Sequence, residues 1–358
     1  MNIITNDIKF IFLILFLVIY PDISNSQIIN SSNKEKNNEK LQLVEGNTFI
    51  SSNYIFPNNE GLNKPIGVKV NSVTKEIIVL DYGNNCLYMF TLEGKFIRKI
   101  GTPGQGPGDL LRPKYLFIDS EGDLYIYEDM NRRISIFSKV GKFINSFRLP
   151  PGIRRDFKFF VSNSKEIITN IPDRGYYFTI FSKKGEIIKE IGNIEIKNKD
   201  KFINSLGSQG IPFKNDNENI YNIFLPNMLL IKSYDENGNK LYDYPYNEII
   251  ENPIIKKSYL EIEKLDRPTF MVFQIDVIYK YNNYYIMSVF NYKKDSIIVL
   301  DNKLKMINKY FLKIDRNKYE VKLIDLITIF FDIYKLENSI NIYIPFANCS
   351  EIIIYKLK

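Results

Sequence analysis

A self-match at a period of 47 residues, six recurrences of one hairpin pattern and two incomplete units at opposite chain ends predict an all-β fold. The expected architecture is a six-bladed β-propeller of four-stranded antiparallel blades, with the last blade completed by an N-terminal strand. The self-match lays Ile77–Phe96 onto Leu124–Phe143, so that Asn84 meets Asn131, Leu87 meets Ile134, Phe90 meets Phe137 and Gly94 meets Gly141. Such a period marks a repeat architecture, in which each unit buries its faces against its neighbours. Abundant Ile, Tyr and Phe favour strands.

The chain opens with an export-type leader, residues 1–26. Phe10–Tyr20 is an eleven-residue apolar run preceded by Lys9 and followed by Pro21, with Ser24 and Ser26 at the small-residue positions before Gln27. It falls short of the roughly 20 residues that span a bilayer, and it fits a cleavable signal. After cleavage no stable membrane insertion is expected. Residues 27–40 are polar and rich in Asn and Lys, a disordered tether. Residues 41–358 form one propeller domain.

Within it, the third and fourth strands of each unit are the clearest. They read LYMF-TLEG-KFIRKI, ISIF-SKVG-KFINSF, FTIF-SKKG-EIIKEI, LIKSY-DENG-NKLYDY and SIIVL-DNKL-KMINKYF. Apolar runs joined by short turns, most of them containing Gly, are β-hairpins. The third strands are expected to end at Phe90, Phe137, Phe181, Tyr234, Leu300 and Tyr355. Six units close a propeller. The chain stops just after the sixth third strand, while Thr48–Phe56 has no partner of its own. The two defects cure each other if the N-terminal strand supplies the missing fourth strand, which also removes an open edge.

Alternating strand directions put the connections between second and third strands, and the crossovers between blades, on one face. The long crossovers Gly101–Pro113, Gly192–Ser208, Tyr246–Phe270 (with a short helix expected around Lys256–Lys264) and Lys313–Leu326 therefore gather there. The turns Leu92–Gly94, Asp119–Gly122, Ser162–Lys165, Asn237-Gly238 and Asn282-Asn283 are short and lie on the other. Long loops on a rigid scaffold are where binding resides. The Gly-rich run 101–113 precedes strand-like Tyr115-Leu116-Phe117-Ile118, not a helix, so it lacks the N-terminal amides of a phosphate loop. Its glycines are expected to serve backbone geometry, through positive φ.

Asp81-Tyr82-Gly83-Asn84-Asn85 followed by Leu87–Phe90 and Gly94-Lys95-Phe96 resembles the NHL-type propeller repeat, and Glu128–Arg132 with Ile134–Phe137 matches it again. The Gly-Gln-Gly-Pro-Gly-Asp run ending at Arg112-Pro113 resembles the inter-blade segment of exported bacterial six-bladed propellers. The resemblance is clearest over Pro65–Phe147. It implies a fold and carries little about activity.

The expected binding residues are Asp129, Arg132, Arg133, Asp173 and Arg174 on the second-to-third-strand connections, joined by Asp109 and Arg112 on the crossover. Arg binds carboxylate or phosphate bidentately, whereas Asx residues in such turns more often close onto their own backbone. The chain has no His and no Trp, which removes imidazole as base or ligand and with it every Ser-His-Asp or Cys-His site. Its 48 basic and 41 acidic residues are interspersed, which gives no nucleic-acid stripe. Cys86 and Cys349 read as small apolar residues. A bridge between them would need offset registers to come within the roughly 7 Å Cα limit.

The function expected is that of an exported, non-catalytic, monomeric binding or scaffold propeller. Its partner would be a protein, peptide or glycan, and no nucleic acid, cofactor or metal is called for. The alternative is a Ca²⁺-dependent hydrolase or lactonase-like enzyme at the axial mouth, with Asp156, Asp276 and Asp325 near first strands. Arg112, Lys114, Arg154 and Arg155 share that neighbourhood.

Overall fold

The structure is a computed structural model. It describes residues 42–50, 61–153, 157–195, 208–213, 219–225, 230–245, 273–281, 284–291, 295–300, 306–313, 332–336, 339–346 and 351–357. The leader and tether, the expected strand's end at 51–56, most of the later crossovers with the helix at 256–264, Asp156, Asp325 and Cys349 lie outside these residues.

Strand β1 (Gln42–Ile50) precedes, in chain order, five four-stranded units and a sixth of three strands. Blade one is β2 (Pro65–Asn71), β3 (Glu76–Asp81), β4 (Cys86–Thr91) and β5 (Phe96–Ile100). Blade two is β6 (Pro113–Ile118), β7 (Leu124–Glu128), β8 (Arg133–Phe137) and β9 (Phe143–Arg148). Blade three is β10 (Phe159–Val161), β11 (Ile167–Thr169), β12 (Tyr176–Phe181) and β13 (Ile187–Asn193). Blade four is β14 (Ile211–Phe213), β15 (Ile220–Leu225), β16 (Leu230–Asp235) and β17 (Lys240–Pro245). Blade five is β18 (Phe273–Tyr281), β19 (Tyr284–Asn291), β20 (Asp295–Leu300) and β21 (Met306–Lys313). Blade six has β22 (Asp332–Leu336), β23 (Ser339–Phe346) and β24 (Glu351–Leu357).

The missing fourth strand of blade six is β1, whose Gly46–Ile50 half pairs antiparallel with β24. It begins six residues earlier than the expected Thr48. The extra length has its own partner: Gln42–Glu45 runs parallel to Tyr310–Lys313 of β21. Blades five and six thus join into one eight-stranded sheet. An outer strand presents unpaired backbone groups along its edge, and a passing extended segment satisfies them.

Every third-to-fourth-strand hairpin from blade one to blade five carries a register shift at the same place, pairing Phe90 with Phe96, Phe137 with Phe143, Phe181 with Ile187, Tyr234 with Lys240 and Leu300 with Met306. In the first four the turn glycine, Gly94, Gly141, Gly185 or Gly238, has φ between 84° and 93°. Turn and bulge go together, since the positive-φ residue sets the extra residue into the ladder.

The core forms between blades. Along β3, Ile77 and Val79 pack with Ile352 and Tyr343 of blade six, while Ile78 and Leu80 pack with Leu116 and Ile126 of blade two. Period-two alternation therefore buries both faces of a blade's inner strands. Cys86 is buried in the first of these clusters. A buried polar contact joins the last blade to the first: Val70 N donates to Asp332 Oδ2 at 2.6 Å, with Lys69 Nζ 3.4 Å from Asp332 Oδ1.

Candidate binding face

Buried carboxylates hold the segments that enter blades one and two, the second of which is the crossover 101–113. Asp81 and Glu128, the aligned last residues of β3 and β7, are both fully buried. Asp81 accepts from Asn63 N at 2.6 Å and from Asn84 N at 3.0 Å. Glu128 accepts from Leu111 N at 2.9 Å, Asn131 Nδ2 at 2.6 Å and Ser135 Oγ at 2.5 Å. In each blade an acid closes its own turn and fastens the incoming crossover. Backbone contacts repeat the pattern: Tyr82 N donates to Lys64 C=O, and Asp129 N to Arg112 C=O.

The two acids differ in their charge environment. Glu128 faces Arg133 Nε at 2.7 Å, whereas the residue aligned with Arg133 in blade one is Cys86. Burial pushes the Asp81 carboxyl up to about 6, against the N–H groups of Asn63, Asn84 and Gly83, which pull it down. The Lys99 charge also pulls it down, by less, so that burial prevails; a buried carboxylate is costly to ionise.

Asp109 organises the crossover from inside. Its Oδ1 accepts from Thr102 Oγ1 at 2.6 Å and its Oδ2 from Gly106 N at 3.0 Å. The Thr102 hydroxyl first, and the Gly106 N–H after it, hold this carboxyl below its ordinary range. This corrects the expected role of two glycines. Gly101 and Gly108 do have positive φ, but at Gly104 and Gly106 a Cβ would displace the Asp109 carboxylate from its place in the loop.

The seven expected binding residues fall into two groups. Arg133 is not presented to solvent. It is 9% exposed, and beyond Glu128 its guanidinium donates to the C=O of Gln105 (2.8 Å), Gly106 (3.2 Å) and Asp109 (2.8 Å). Asp109 is occupied as described, and Asp129 lies 2.9 Å from Lys114 Nζ. Arg133 and Asp109 are internal fastenings of the crossover, whereas the Asp129 side chain pairs with β6. Arg112, Arg132, Asp173 and Arg174 are exposed on the same face. Asp173 and Arg174 lie on a short 3₁₀ turn, Pro172–Arg174, where Arg174 pairs with Glu190.

Arg112 and Arg132 share a further property. Both have left-handed backbones, with φ 48° and 47°. Arg112 N donates to Asn85 Oδ1 at 2.6 Å, and Leu149 N donates to Arg132 C=O. In blade three the carbonyl equivalent to that of Arg132, accepting from Ile194 N, belongs to Gly175 at φ 89°. One geometry is thus met by glycine in one blade and by arginine in another. A left-handed non-glycine residue costs about 1–2 kcal/mol.

Aromatic rings pack beneath this face: Tyr127 against Phe157 at 4.7 Å and Tyr115 against Phe159 at 5.2 Å between centroids. Of the acids considered for an axial metal, Asp276 lies on β18. Among the described residues, no three His, Cys, Asp or Glu side chains are grouped for a metal ion. Sequence reasoning missed Glu128 as the partner of Arg133. Its alignment with Asp81 was the available signal.

A family model described as DUF5128, a 6-bladed beta-propeller, matches residues 24–257. No curated protein sequence matches the chain. Among solved structures, a member of the duf4221 family from Bacteroides vulgatus superposes with a TM-score of 0.53 at 12% identity, covering 88% of this chain and 98% of that one. A Bacteroides fragilis protein described as exported gives 0.51 at 14% identity, over 88% and 99%. Virginiamycin B lyase from Staphylococcus aureus gives 0.51 at 14%, over 87% and 99%. At these identities the likeness is one of fold.

Proposed function

The chain belongs to the DUF5128 family of 6-bladed beta-propellers, and from that premise we propose that it is an exported, non-catalytic binding protein. It recognises an anionic group of a protein, peptide or glycan on the face that carries the crossover 101–113. The observation that carries this reading is the pair Arg112 and Arg132, two exposed guanidiniums on left-handed backbones of one face; blade one has Lys64 and Asn85 at the aligned places, and blade three has Gly175 at that of Arg132. Strain retained at an exposed position points to a use for the side chain, and two guanidiniums on one face suit carboxylate, sulfate or phosphate.

Export is supported by the apolar run Phe10–Tyr20 with Ser24 and Ser26 before Gln27, and by the likeness to the Bacteroides fragilis protein described as exported. Among the described residues no helix is long and apolar enough to cross a membrane. On this reading the mature chain acts as a monomer, without nucleic acid or cofactor.

Titration with a Glu-rich decapeptide and a galacturonate trisaccharide tests it. Saturable binding that weakens with salt is expected for at least one probe, with loss in the Arg112→Ala/Arg132→Ala/Arg174→Ala variant. Affinity retained in that variant contradicts the assignment.

A further inference from the structure

Between blades three and four, on the face of the short turns, lies a cavity of about 260 Å³ lined in part by Phe160, Glu166, Lys189, Tyr221 and Glu236. The internal repeat shows what its charges replace. Three positions recur at the seams between blades. The first opens or immediately precedes the second strand: Glu76, Asp123, Glu166. The second lies two residues beyond the bulge pairing in the fourth strand: Arg98, Asn145, Lys189. The third is the second residue of the next blade's hairpin turn: Lys139, Lys183, Glu236.

At the first seam Arg98 grips Glu76 through two nitrogens, at 2.6 and 2.8 Å, and reaches the Lys139 C=O at 3.3 Å. At the second, Lys183 Nζ lies 3.5 Å from Asp123, and Asn145 Nδ2 donates to the Lys183 C=O at 3.1 Å. At the third the turn cation is replaced by Glu236. Formal charge over the three positions runs +1 (Glu76, Arg98, Lys139), 0 (Asp123, Asn145, Lys183) and −1 (Glu166, Lys189, Glu236). Among the described residues neither Glu166 nor Glu236 has an ion-pair partner. This third seam is the one that opens into the cavity.

We propose that this cavity binds a small organic cation, an ammonium or guanidinium on a short aliphatic stem. The head takes the place that Lys183 fills at the preceding seam, against Glu166 and Glu236. The stem and the diffuse charge lie against Phe160 and Tyr221, since aromatic faces attract cations and apolar walls desolvate a stem. The site is independent of the arginines on the opposite face.

Calorimetric titration of the full chain with n-butylammonium and n-butylguanidinium chloride, at constant ionic strength, tests the proposal. Saturable binding is expected. Glu236→Lys rebuilds the pair of the second seam and should weaken binding at least about tenfold, about 1.4 kcal/mol, while leaving the thermal midpoint unchanged or higher. Glu166→Gln leaves one carboxylate without adding a cation and should weaken binding less. Nα-acetyl-lysine methylamide and putrescine then separate a peptide-borne side chain from a free amine, according to which binds more tightly. No saturable binding of either butyl cation up to about 10 mM, or affinity unchanged in both folded variants, overturns the proposal.

Discussion

Arg133 Nε donates to Glu128 Oε1 at 2.7 Å inside blade two, and the remaining nitrogens of the same guanidinium hold three carbonyls of the crossover 101–113. One buried ion pair thereby fixes the longest described loop to the strands beneath it. Removing one partner of such a pair leaves an uncompensated charge and costs about 3–5 kcal/mol. Arg133→Met should lower the urea unfolding free energy by that amount. Arg132→Met, one residue away and exposed, should change it by about 0.5 kcal/mol or less. Equal effects would mean that the pair does not anchor the loop.

Asp81 occupies the equivalent place in blade one with Cys86 where blade two has Arg133, and its carboxyl is pushed up to about 6 by burial. Below about pH 4 the group is protonated both folded and unfolded. Between about pH 4 and 6 the unfolded chain ionises first, so the folded state binds more protons and stability falls as pH rises. Above about 6 the loss is complete, about 2–3 kcal/mol for this group. Urea midpoints of wild type and Asp81→Asn at pH 4 and pH 7 check the sign. The difference should shift against the wild type on going to pH 7, and a constant difference would show that Asp81 titrates as an exposed carboxyl.

The hairpin glycines separate strain from crowding. Gly94 and Gly185 both have positive φ, but a Cβ at Gly94 meets nothing nearer than Phe49 at 3.4 Å, whereas one at Gly185 runs into the Phe147 ring of the preceding blade. Gly94→Ala should cost about 1–2 kcal/mol from backbone conformation alone. Gly185→Ala should cost a further 1–3 kcal/mol from overpacking. Thermal unfolding of the two variants ranks them, and equal losses would remove the crowding at the seam between blades two and three.

The blades were legible because hairpin chemistry is local. Third strands expected to end at Phe137, Phe181 and Leu300 do so, and the N-terminal strand does complete the last blade. Contacts between segments distant in sequence were less legible. Nothing local in Gln42–Glu45 marks it as a partner for β21, because an open edge accepts any extended chain that passes. The glycines of the crossover were visible but not their reason, since the approach of the Asp109 carboxylate to Gly104 and Gly106 depends on how the loop closes. Among the arginines, Arg132 and Arg133 look alike in sequence. Only strand register decides that one is solvent-facing and the other bonded to Glu128.

The measurement closest to the central claim replaces both strained arginines by the residue their backbone favours. In Arg112→Gly/Arg132→Gly the left-handed strain is relieved, and after allowing for glycine's greater unfolded-state entropy a net gain of about 0.5–1 kcal/mol per site is expected. Urea unfolding and titration with the Glu-rich decapeptide and galacturonate trisaccharide are made on the same preparation. Higher stability with probe binding weakened at least about tenfold is the expected result. Higher stability with binding intact would contradict the claim that these arginines are retained for recognition.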